Sequence, residues 1–185
     1  YSCKPVKPIV NYEKQKYYSL NQATTIPLIY GTQPNLGQYF QPDGAFPNPS
    51  ELLPAGHIKE AQEAQEAAAE QLRNDLVFIA RNLYQVGCDG FNFDTAASAG
   101  DADFFAALQA IRELKETAPK MAIELGMSSE FVLGLHGEIT FDGVRLAGMY
   151  PHAQVKMAEA VGADIFGPAV NVKTTQSTPW NLARA

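Results

Sequence analysis

Clustered basic residues, long apolar runs, cysteine motifs and glycine-rich phosphate turns are all missing from this sequence, and each absence removes a class of function. The 14 Lys and Arg against 20 Asp and Glu give a net charge of -6 over 185 residues, with both signs scattered. A phosphate backbone needs a concentrated basic face, so no nucleic-acid partner is expected. No apolar run approaches the roughly 18 residues that cross a bilayer. The first residues also lack the charged-then-apolar order of a secretory leader. A cytoplasmic protein without a membrane partner is therefore expected. The two cysteines, Cys3 and Cys88, stand far apart in no metal-ligand spacing, which leaves a disulfide framework or a structural zinc without support. His57, His136 and His152 are widely spaced and form no His-x-x-x-His pair; they read as surface or loop-bonding residues, and no metal site is expected. The absence of Gly-x-Ser-x-Gly removes the usual serine-hydrolase signal.

What is present is an alternation of short apolar segments with helical ones. Ile26-Pro27-Leu28-Ile29-Tyr30 before Gly31 fits a buried strand. Residues 31–56 follow, rich in Pro, Gly, Asn and aromatics and without a period. They read as a long loop in which Tyr39, Phe40 and Phe46 either serve a lid or partner surface or pin the segment to the body. A helix is expected over 58–86, with its buried stripe at Leu72, Leu76, Ile79, Ala80 and Leu83 and with Gly87 as a left-handed cap. A strand over 88–94 leads to a helix opened by Asp101 and Asp103, where the helix dipole favours acids, and lined by Phe104, Leu108, Ile111 and Leu114. A strand over 121–125, a helix over 153–161 and a strand over 163–167 complete the order β-α-β-α-β-α-β. Between the last two strands, Asp142-Gly143 separates two short alternating runs, the signal for a type I′ hairpin; it is expected at the rim, where it would help cover the mouth.

Such an order specifies a parallel α/β sheet, either open and doubly wound or closed as a barrel. No Gly-x-Gly-x-x-Gly turn follows any strand, which disfavours the dinucleotide-binding sheet. Tyr30, Asp94, Glu124 and Asn171 fall at expected strand ends in four different βα units, where barrel enzymes place their chemistry. The expectation is therefore an internal fragment of a (β/α)8 TIM-type barrel: one partial domain over 1–185, with about four βα units, the aromatic loop and the rim hairpin. Tyr1 in place of an initiator Met, and residues 179–185 reading as a helix without a stop, carry the fragment expectation. Exposed sheet edges should make the isolated piece unstable or prone to associate, and a homo-oligomer is expected at full length.

Strand alternation sorts the candidate residues. In Ala122-Ile123-Glu124-Leu125-Gly126 it sets Glu124 between two small residues and turns the large apolar ones away. A carboxylate placed there must be paired or protonated. It either binds a substrate ammonium or protonates a leaving amine, or else it forms a structural ion pair. The same parity puts Asn92 and Asp94 opposite Phe91 and Phe93. Asp94 is a second catalytic candidate or the cap of the following helix. Tyr30, Asn92 and Asn171 are candidate substrate-binding groups, with Tyr30 open to a rim role and Asn171 to bonding its own turn.

Several runs also carry a resemblance: Tyr1-Ser2-Cys3-Lys4-Pro5-Val6-Lys7-Pro8, Ile26-Pro27-Leu28-Ile29-Tyr30-Gly31, Gly90-Phe91-Asn92-Phe93-Asp94-Thr95, Val132-Leu133-Gly134-Leu135-His136-Gly137 and Trp180-Asn181-Leu182-Ala183-Arg184-Ala185. In this order, over essentially the whole length, the chain resembles the pyrrolysine-containing dimethylamine:corrinoid methyltransferases of methanogenic archaea. The resemblance implies a (β/α)8 barrel that moves one methyl group from dimethylamine to the cobalt of a cognate corrinoid protein and releases methylamine. It implies that no cofactor is bound directly, that the corrinoid is carried by the partner, and that pyrrolysine lies downstream of residue 185, so that this piece alone is inactive. The family's pyrrolysine imine is proposed to hold the amine, with carboxylates supplying protonation. Glu124 and Asp94 remain candidates from strand position. Two alternatives stay open: a barrel enzyme acting on another small methylated amine without pyrrolysine, and a non-catalytic docking module.

Overall fold

The computed structural model describes residues 14–16, 19 and 33–169, with the backbone alone for Thr95. The first expected strand and the residues Tyr30 and Asn171 lie outside these. A 3-10 turn, Leu36–Tyr39, and a short helix α1, Pro49–Leu52, precede the long α2, Ile58–Gln85. Strand β1, Gly90–Ala96, leads into α3, Asp101–Thr117, and then β2, Ala122–Met127. The hairpin strands β3, Thr140–Phe141, and β4, Val144–Arg145, come next, followed by α4, Pro151–Ala160, and β5, Ile165–Gly167.

The sheet order is β1-β2-β5 and both pairings are parallel. Successive strands of the sheet are thus neighbours. Right-handed crossovers between neighbours taken always in the same direction place their helices on one face of the sheet. Burial agrees: Phe91, Phe93, Ile123 and Leu125 point into a core shared with Phe104, Leu108, Ile111 and Leu114 of α3 and Leu72 and Leu76 of α2. Alanines let the two helices approach closely, Ala68 and Ala69 on α2 and Ala106, Ala107 and Ala110 on α3 all being buried. At the edge of this contact Glu113 bridges Arg73 and Arg81. Lys115 ties the end of α3 to the sheet by donating to Asp164 Oδ2 at 2.9 Å and to the Met121 carbonyl at 3.0 Å.

The segment between the expected first strand and α2 is less irregular than its composition suggests. Tyr39, Phe40 and Phe46 pack against the core, and the Tyr39 hydroxyl donates to Asp75 of α2 at 2.7 Å. Burial and the Asp75 carboxylate hold that phenol well above its ordinary range. These aromatics pin the segment down. The hairpin forms as expected, with positive φ at both Asp142 and Gly143. It docks along the flank of α3, where Phe141 meets Phe105 edge-on at 5.8 Å and Arg112 grips Asp142 through both terminal nitrogens. These contacts are with the helical layer.

The β1–α3 connection is held from within. Asp103 Oδ2 accepts from the Ala99 amide and the Ser98 hydroxyl, each at 3.3 Å. Burial nevertheless pushes its carboxyl up from 3.8 to about 6. Between those two values the folded state keeps a proton that the unfolded chain has released, so stability falls as pH rises through that window and is flat above it. At about 1.4 kcal/mol per pH unit the decline is on the order of 3 kcal/mol. Asp103→Asn should remove it. Urea titrations of both proteins between pH 4 and 7 read the difference, and parallel pH profiles would contradict this assignment.

Candidate functional site

The sheet face away from the helices is polar, and its composition follows from strand parity. Asn92 and Asp94 project from β1 opposite the buried Phe91 and Phe93, while Glu124 projects from β2 opposite Ile123 and Leu125. Register sets Asn92 beside Glu124, and on the other side of Glu124 the same face carries the exposed Ile165. Two glycines lie among them. A Cβ placed on Gly126 would sit 3.3 Å from Asn92 Oδ1 and 3.4 Å from Asp94 Oδ1, and one on Gly167 would sit 3.4 Å from Glu124 Oε1. The side chains of β1 therefore lean over β2, and that of Glu124 leans over β5.

Of the five residues expected to form the site, three converge on this face: Asn92, Asp94 and Glu124. Tyr30 and Asn171 fall outside the described residues. Glu124 lies in the middle of its strand, although the sequence suggests an end position. The reason is that β2 runs on to Met127, with Gly126 paired to Gly167 and Met127 to Ala96. No Lys or Arg among the described residues forms an ion pair with Glu124. Asp94 does not cap α3. The capping position is Gly100, at φ 111°, with no side-chain cap; a Cβ there would meet the Leu133 carbonyl at 2.8 Å.

The backbone of Asp94 is held by a residue that sequence reasoning missed. Gln33 Nε2 donates to the Asp94 carbonyl at 2.8 Å, and the Asp94 amide donates back to Gln33 Oε1 at 3.0 Å. This reciprocal pair does for one residue what a neighbouring strand would do for the ladder. Separated by 61 positions, the two residues offer no local signal.

His136, read from sequence as surface or loop-bonding, is a loop-bonding residue of intermediate burial whose side chain is 7% exposed. Its Nε2 lies 3.2 Å from both the Gln62 carbonyl and Glu66 Oε1. Its Nδ1 faces the fully buried Asp101 at 3.5 Å, within ion-pair range but without hydrogen-bond geometry. Asp101 also accepts from the Gly137 amide at 2.8 Å. The group fastens the segment after β2 to the start of α3. Among the described residues no cluster of His, Cys, Asp and Glu could hold a metal ion. Two shallow grooves of about 420 and 410 Å3 are lined by α2, α3 and residues around the hairpin, and by no residue of the polar sheet face.

A site of two carboxylates and one amide, all acceptors except for the amide NH2, suits a small cation carrying N–H groups. The dimethylamine methyltransferase family model matches residues 1–185. The chain belongs to the dimethylamine methyltransferase family. No solved structure matches it. None of the described helices of this family member is long and apolar enough to cross a membrane.

Proposed function

We propose that this chain forms part of a (β/α)8-barrel methyltransferase that takes one methyl group from dimethylamine and delivers it to the cobalt of a separate corrinoid protein. The carrying observation is that Asn92, Asp94 and Glu124 share the face of a parallel sheet turned away from α2 and α3 in a chain matched throughout by the family model. The barrel reading is supported by neighbouring strands taken in chain order and by the apolar side of the sheet packing on helices. In a closed barrel the polar face becomes the interior. Further chain beyond residue 185 would supply the remaining walls.

A neutral amine is a poor leaving group, so the nitrogen must carry a proton or an equivalent positive charge when the C–N bond breaks and its electron pair stays with nitrogen. Dimethylammonium has two N–H donors. Asp94 and Glu124 accept them, and Asn92 beside Glu124 narrows the positions open to the methyl groups, so that one methyl is aimed at the approaching corrinoid. As the interior closes, the charge of the ammonium offsets the desolvation of the carboxylates. Methylamine leaves with its proton kept in place by Glu124. A pyrrolysine downstream would supply an electrophilic imine to capture the amine, and Asn92, Asp94 and Glu124 would be the residues of this chain beside it. The expected setting is methylamine-dependent methanogenesis in the cytoplasm of an archaeon.

Incubating the full-length protein with dimethylamine and its corrinoid protein in the cobalt(I) state should release one methylamine per corrinoid methylated, measured by chromatography of the free amines. Corrinoid methylation from another donor with no methylamine formed would overturn the substrate assignment.

A further inference from the structure

We propose that Gly126 and Gly167 are specificity-determining residues, forming the floor on which the donor-binding side chains rest; this builds on the methyltransferase reading of the same face. Glycine inside a strand weakens it, giving up side-chain packing and backbone entropy, so its presence marks a conformational need or a close approach. Conformation is not the need here, because neither residue is among the glycines with positive φ. Nor do the two resemble Gly90, where a Cβ would strike the Ala122 carbonyl at 2.4 Å and the neighbouring backbone forbids a side chain. Around Gly126 the nearest atoms are Asn92 Oδ1 at 3.3 Å and Asp94 Oδ1 at 3.4 Å, and at Gly167 the nearest is Glu124 Oε1 at 3.4 Å. Every closest neighbour is the tip of a polar side chain belonging to the candidate site.

The two glycines are register partners across β2 and β5, so they form one continuous strip of bare backbone. Across it, Asn92 and Asp94 lie down from one strand and Glu124 from the next. A methyl group on Gly126 leaves the strands paired but presses on Asn92 Oδ1, which must give by a few tenths of an ångström, and one on Gly167 comes into van der Waals contact with Glu124 Oε1; either methyl also takes up space that the donor's methyl groups would use. The strip therefore sets both the height of the acceptor atoms and the depth available to the donor. Larger donors are affected most.

Full-length Gly126→Ala and Gly167→Ala proteins test this. Each should raise KM for dimethylamine about tenfold, the scale on which one methylene is discriminated in a closed pocket. The unfolding midpoint should stay the same or rise slightly, because alanine restricts the unfolded chain. A KM within twofold of wild type for both variants, with normal turnover of dimethylamine, would overturn the proposal and leave the methyltransferase reading intact. If the wild type uses a different methylated donor, the substrate reading fails and the same KM comparison on that donor decides the role of the glycines. Absence of any methylammonium binding to the wild type, read by line broadening of the methyl proton resonances, would overturn both.

Discussion

Replacing Glu124 with Gln in the full-length protein should lower kcat/KM for the proposed methyl transfer from dimethylamine by about a hundredfold, the lower end of what a positioned acid–base group contributes. The substitution keeps size and strand propensity, and Glu124 makes no ion pair among the described residues, so the unfolding midpoint should move little. The loss should be in kcat as well as KM if, as proposed, the carboxylate both accepts an N–H of the bound ammonium and keeps the proton on the departing methylamine. Asp94→Asn should act mainly on KM if its part is to hold the ammonium. Steady-state rates over a range of dimethylamine concentrations separate the two. Full activity in Glu124→Gln would remove the residue from the reaction and leave it a half-buried strand position.

How much of this face could be read beforehand depends on how local each signal is. Parity within Phe91-Asn92-Phe93-Asp94 and Ala122-Ile123-Glu124-Leu125-Gly126 needs only neighbouring residues, and the structure follows it at every described side chain of both runs. Asp142-Gly143 likewise carries its turn within two residues. The inner face of α3 was legible for the same reason, its four large apolar residues recurring at helical spacing. The extent of β2 was not, because Gly126 and Met127 extend the strand by pairing with Gly167 and Ala96, and pairing is a long-range property. His136 gave no sign of burial, since Gln62, Glu66 and Asp101 reach it from far along the chain. The hairpin could be foreseen as a hairpin, whereas its place against Phe105 and Arg112 depends on tertiary packing.

Phe93→Ala should destabilise the protein by about 3–5 kcal/mol, the usual range for removing a buried aromatic ring. Phe93 is fully buried and meets Phe91 edge-on at 5.1 Å, so its removal opens a cavity between the sheet and α3. It lies between Asn92 and Asp94, and the relaxation that fills the cavity shifts the strand carrying both. Lost activity should therefore accompany lost stability. Phe78 on α2 is 68% exposed, and Phe78→Ala should change stability by no more than about 0.5 kcal/mol. Urea unfolding of the two variants side by side makes the comparison. Equal effects would mean that the apolar face of β1 is not the packed side of the sheet.

The most direct test of the central claim is the visible spectrum of the cobalt(I) corrinoid protein after mixing with the full-length enzyme and, in separate runs, methylamine, dimethylamine and trimethylamine. Rapid loss of the cobalt(I) absorption with dimethylamine, and not with the other two, is the expected result. No spectral change with dimethylamine, or an equal change with all three amines, would contradict it.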